Sequence, residues 1–148
     1  KNLLELYGHR YHRVNGERGP FCWSCVYCGK PADTIEHYPP LSRVSDYESI
    51  GGVAYVTFPC CKSCNTMAGT ELDDTFLDRV ERVKDRMRKK WKRYLVEIHW
   101  DDDELQELGN NLRSHIASKQ HKSEFYRSMI ENYGGVDMVL DKLNDIYG

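Results

Sequence analysis

Two cysteine pairs, Cys25-Val-Tyr-Cys28-Gly29 and Cys61-Lys-Ser-Cys64-Asn65, restrict what this chain can fold into more than any other stretch. Thiols spaced by two residues, in two pairs about thirty positions apart, form the ligand pattern of a tetrahedral four-sulfur zinc site. Neighbouring thiols compete for the role, and local context decides between them. Gly29 after Cys28 favours Cys25 and Cys28 over Cys22 and Cys25, because a knuckle turns sharply so that its amides face the sulfurs. Of Cys60 and Cys61, only Cys61 has a partner two residues on, at Cys64. Cys22 and Cys60 are then expected to be buried free thiols.

A chain of 148 residues with a mean hydropathy of −0.70 fits one domain with little apolar material to spare, for which a metal staple is useful. Its apolar runs are too short for a membrane span, and the N-terminus shows no signal-peptide pattern. Six cysteines without a secretory signal point to a reducing compartment, with the cytoplasm as the expected location. The net charge of −2 hides a separation. Arg79 to Arg93 holds nine Lys/Arg against two acids, a net of +7, whereas Asp101 to the end holds ten acids against five bases, a net of −5. A polyanion-binding face backed by an acidic body has this pattern, and so does a solvated helix beside an unrelated acidic bundle.

Along the chain, residues 1–20 carry Leu3, Leu4, Tyr7 and Tyr11 at helical spacing around Gly8, which predicts a short helix packed on the core. Asp33 to His37 has strand character and ends at Pro39-Pro40, and Val53 to Phe58 is a second strand after the turn at Gly51-Gly52. A helix starts at the second knuckle and stops at Gly69. Thr70-Glu-Leu-Asp73 reads as a capping sequence for a long basic helix over 72–95. Its buried stripe would be Leu72, Phe76, Val80, Val83, Met87, Trp91 and Tyr94, with Lys/Arg on the other faces. Val96 to Trp100 is either a short edge strand or the end of that helix. Acidic helices follow: Asp101 to Glu104 suits a helix start, Leu105, Leu108, Leu112 and Ile116 form one stripe, Phe125, Met129 and Tyr133 another, and Val136, Val139, Leu140, Leu143 and Ile146 a third. The expected organisation is α+β: a strand-strand-helix unit over 21–70 clamped by metal, then an all-helical extension over 71–148.

Between the knuckles lies Glu36-His37-Tyr-Pro-Pro40, and with Cys61-Lys-Ser-Cys64-Asn65 it resembles the HNH endonucleases of the ββα-metal (His-Me finger) group, in the subset with two Cys-x-x-Cys knuckles. The resemblance covers Cys25 to Gly69. It implies a zinc-bound ββα finger that hydrolyses DNA phosphodiester bonds with one divalent cation, leaving 5′-phosphate and 3′-hydroxyl ends. In that reading His37 is the general base, suited by an ordinary pKa of ~6.5. Glu36 and Asn65 hold Mg²⁺ or Mn²⁺ through oxygen, and Cys25, Cys28, Cys61 and Cys64 hold structural zinc.

The sequence departs from the family in three places. Glu36 stands where Asp is usual, no Asn lies between His37 and Cys61 to orient the histidine, and Met67-Ala68 replace the His or Lys some members carry. Ser42, Ser45, Asp46 or a backbone carbonyl are the candidates for the missing contact. Asn65 could equally cap the helix. Arg86, Lys89, Lys90 and Arg93 are the expected phosphate contacts, with Trp91 either buried or stacked on a base. The alternative is a decayed HNH-like zinc module that binds DNA or a protein partner. The C-terminal helices offer a surface for a homodimer or another protein.

Overall fold

The computed structural model describes residues 2–15, 23–95 and 101–147. The expected segment 96–100 and Cys22 lie outside them. The protein is α+β, with a three-stranded sheet embedded in helices.

Strand β2, Thr34–Tyr38, pairs antiparallel with β3, Val56–Cys60, along its whole length, from Thr34 opposite Cys60 to Tyr38 opposite Val56. The chain then turns directly into helix α3, Lys62–Ala68, which ends at Gly69 with φ 61°. This is the expected strand-strand-helix unit, with the second strand at 56–60 rather than 53–58. A third strand was not expected: β1, His12–Arg13, lies parallel to β3 on its other side. The backbone amides of His12 and Val14 donate to the carbonyls of Tyr55 and Thr57, at 2.9 and 2.8 Å. The N-terminal helix α1, Leu3–Tyr7, is correspondingly short and leaves Leu3, Leu4 and Leu6 exposed. Tyr7 and Tyr11, which follow at its exit, are the residues that pack against the core. Helix α2, Val44–Ser49, fills the connection between β2 and β3.

The basic helix α4 spans Phe76–Lys90, shorter than 72–95. Its cap is Thr75, whose hydroxyl accepts from the Asp78 amide at 3.1 Å, and Thr70 lies in the preceding loop. That loop is held open because Gly69, Glu71 and Asp73 turn oxygens toward α4. Phe76, Val80, Val83, Met87 and Trp91 are buried as the periodicity predicts. Arg79 and Lys84 are buried among them, against the expectation that every Lys/Arg would face outward.

Beyond the basic helix, α5, Asp102–Gln106, is capped by Asp101, whose carboxylate accepts from the Glu104 amide at 2.7 Å. Helix α6, Asn110–Ile130, packs through its C-terminal end: Tyr126 stacks on Tyr94, and Met129 and Ile130 are buried. Of the expected stripe through Leu112, Leu108 and Ile116 are half-buried and Leu112 is exposed; Phe125 is exposed as well. Helix α7, Gly134–Tyr147, buries Val136 and Val139. Among the described residues no helix is long and apolar enough to cross a membrane.

Candidate metal centre and the Glu36–His37 strand

The two knuckles meet because the first is tied to β3. The Val26 amide donates to the Pro59 carbonyl at 3.0 Å, which sets Cys25 and Cys28 beside Cys61 and Cys64. Gly29 takes φ 83° to close the first knuckle, a conformation a side chain would strain. The four sulfurs lie within 4.8 Å of one another, and Cys28 Sγ is 3.7 Å from Cys61 Sγ. Four thiolates at ~2.3 Å from a central zinc would be spaced by about 3.8 Å, so the set fits a tetrahedral ion. Cys61 also caps α3, its sulfur accepting from the Cys64 amide at 3.4 Å. Cys60, the leftover thiol, is fully buried and donates to the Cys61 carbonyl.

Behind this centre Lys84 is fully buried. Its Nζ donates to the carbonyls of Met129 and Asn132 at 2.9 and 2.8 Å and to that of Tyr27 at 2.5 Å. The first of these belongs to α6, the second to the turn before α7 and the third to the first knuckle. Burial pushes its pKa down to about 8, while the nearby thiols pull the other way. Gly135 brings α7 onto the same knuckle; a Cβ there would stand 2.7 Å from Val26 Cα.

Because β2 is paired without interruption, Glu36 and His37 point to opposite faces. Glu36 points inward and is 4 % exposed. Its Oε2 accepts from Arg79 Nη2 at 3.2 Å and from the Tyr27 hydroxyl at 3.4 Å, and its Oε1 accepts from the His37 amide at 3.2 Å. Burial raises its pKa, opposed by the Arg79 guanidinium. Arg79 is 0 % exposed and also donates to the Gly69 carbonyl at 2.9 Å, the Glu71 carbonyl at 3.0 Å and Asp73 Oδ2 at 3.1 Å. Arg82 reaches both oxygens of Asp73, at 2.9 and 2.7 Å.

Asn65 lies within α3, so it does not cap the helix; Cys61 does. Its Nδ2 donates to Thr34 Oγ1 at 3.2 Å, tying α3 to β2. The residues present do not fit the divalent cation that the HNH resemblance implies. The Glu36 carboxylate is already neutralised by the Arg79 guanidinium, and the Asn65 side chain is spent on tying α3 to Thr34 of β2.

His37 sits on the other face, half-buried, with the Tyr11 ring edge-on at 5.0 Å. Burial lowers its pKa, which favours the neutral imidazole. None of the candidates for the missing orienting contact, Ser42, Ser45, Asp46 or a backbone carbonyl, bonds the ring among the described residues, and Asp46 is held instead by Arg43 Nε at 2.9 Å.

Of the expected phosphate contacts, Lys89, Lys90 and Arg93 are exposed around the exit of α4, with Lys90 Nζ 3.2 Å from Ser63 Oγ beside the second knuckle. Arg86 is engaged elsewhere, bonding the Met67 carbonyl and Glu71. Lys62 and Lys92 are exposed in the same region, which sequence reasoning passed over. Trp91 is buried against Tyr126 and not available for stacking. Arg79 and Lys84 were also missed; their signal was their position inside the apolar stripe, three or four residues from Phe76, Val80, Val83 and Met87.

Comparison with known protein families, with characterised proteins and with solved structures finds no match.

Proposed function

We infer that this chain is a zinc-stapled ββα module of the HNH type that binds nucleic acid through its phosphates and does not cut it. The observation that carries the reading is the run of exposed cations Lys89, Lys90, Lys92 and Arg93 at the exit of α4, with Lys90 reaching Ser63 next to exposed Lys62 of the second knuckle, whose four-cysteine centre has a chemistry that suits zinc. Cations of this kind release counterions from a phosphate backbone and position a protein without reading sequence. The absence of cleavage follows from Glu36, whose charge is spent on Arg79.

Fluorescence anisotropy with a labelled duplex across a salt series tests this. Affinity is expected to fall linearly in log-log form, and Lys89→Ala/Lys90→Ala to reduce the slope by about two. Salt-insensitive affinity, or no binding at low salt, contradicts it.

A second reading, DNA hydrolysis with His37 as general base, is favoured by the β2-β3-α3 order and by the neutral, half-buried imidazole. It requires Glu36 to leave Arg79. It predicts metal-dependent nicking of supercoiled plasmid that His37→Ala abolishes.

A further inference from the structure

Four oxygens converge on the Arg79 guanidinium: Glu36 Oε2, Asp73 Oδ2 and the carbonyls of Gly69 and Glu71, all between 2.9 and 3.2 Å. Two carboxylates and two carbonyls, from β2 and from the loop between α3 and α4, make a donor set that hard divalent cations commonly take. We propose that Arg79 is the resident cation of this centre, a built-in guanidinium that holds the carboxylate an HNH finger would give to a divalent metal.

The proposal rests on the HNH-type reading of β2-β3-α3 and deepens it. Three features separate it from an ordinary surface ion pair. Arg79 is fully buried, and Glu36 and Asp73 are nearly so, so water cannot screen the interaction or compete for the oxygens. The guanidinium links elements distant in sequence, reaching 43 residues back to β2. Its planar fork meets two acceptors at each terminal nitrogen, a geometry that a spherical ammonium would not reproduce. Arg79 Nε, in contrast, is buried without a partner. The arrangement is explained if the cage oxygens set the position of the charge.

A guanidinium stays charged at every pH at which the protein folds. The cage is therefore closed to metal under all such conditions, and no chelator can empty it. Removing Arg79 leaves Glu36 and Asp73 facing each other, with Arg82 still on Asp73. The vacated cage then carries one net negative charge and oxygen ligands, with room for water to complete a coordination shell.

Mn²⁺ binding to the zinc-loaded full chain, followed by electron paramagnetic resonance of the free ion, tests the proposal. Wild type and Glu36→Gln are expected to bind no Mn²⁺ that distinguishes them. Arg79→Ala is expected to bind about one Mn²⁺ per chain, Arg79→Ala/Glu36→Gln to lose it, and Arg79→Lys to bind none. Mn²⁺ bound by wild type and lost in Glu36→Gln overturns the proposal, as does a folded Arg79→Ala that binds none. If Arg79→Ala does not fold, the comparison of wild type with Glu36→Gln still decides. Duplex affinity measured on the same wild-type sample separates the two claims, because its loss would remove the nucleic-acid reading and leave the Mn²⁺ result standing.

Discussion

Glu36 and Arg79 form an ion pair at 3.2 Å in which both side chains are shut away from water, one from the middle of a strand and the other from the first turn of a helix. Removing one member leaves the other charged and unsolvated, which typically costs about 3–5 kcal/mol. Glu36→Ala and Arg79→Met are each expected to lose stability of that order in urea unfolding. The double variant should lose much less than the sum, since no buried charge is then orphaned. Additive losses would mean that the pair is not coupled.

The cysteine centre holds the fold together as well as the knuckles. Lys84 joins the Tyr27 carbonyl of the first knuckle to Met129 and Asn132, so α6 and the turn before α7 are anchored to the cysteine cluster. Stripping metal with a chelator, or substituting Cys64→Ser, is expected to lower the melting temperature and to release the stacked aromatics Tyr94 and Tyr126, read as a change in near-ultraviolet dichroism. Lys84→Met orphans three carbonyls, each worth about 1–3 kcal/mol, and should loosen the C-terminal helices in hydrogen exchange. A metal-free protein with unchanged melting would refute this.

Neighbouring glycines provide an internal control. A Cβ on Gly135 would meet the Val26 backbone at 2.7 Å, where neither side can yield cheaply; on Gly134 the nearest atom is Asn132 Oδ1 at 3.7 Å. Gly135→Ala should therefore destabilise by about 1–3 kcal/mol, while Gly134→Ala changes little. Equal effects would mean that α7 does not approach the knuckle as described.

His37 gives the fold a pH dependence. Burial lowers its pKa below the unfolded value of ~6.5, so the unfolded chain binds the proton more readily. The stability that the neutral ring contributes is present above about pH 6.5 and is lost as pH falls through the folded value. Wild type should lose more stability than His37→Gln on acidification through that window, while the carboxylates common to both cancel. Parallel stability curves would contradict the burial of the ring.

Much of this architecture was legible in the chain, and the rest fails for identifiable reasons. Cysteine spacing and Gly29 identified four thiols that come together, and the Phe76-Val80-Val83-Met87 stripe located the core face of α4. Strand β1 was hidden because two residues carry no periodicity; its register is dictated by the Tyr55 and Thr57 carbonyls of a distant segment. Thr70 looked like a cap by local pattern, but the loop through Asp73 is held open by Arg79 and Arg82, so the helix waits for Thr75. Arg79 was assigned to solvent because its residue type outweighed its register. A Glu36 buried on β2 calls for a partner that holds its charge or for a neutral carboxyl, and Arg79 is the partner the structure supplies. For the polar α6, the apolar spacing of Leu112 and Phe125 suggested burial that packing partners do not supply.

The measurement that tests the central claim most directly is incubation of supercoiled plasmid with zinc-loaded protein and Mg²⁺ or Mn²⁺, read both for retarded migration and for nicking, with His37→Ala and a chelator control alongside. The account predicts a salt-sensitive retarded complex whose DNA stays supercoiled, the same for wild type and His37→Ala. Metal-dependent nicking by wild type that disappears in His37→Ala would contradict it and establish the nuclease.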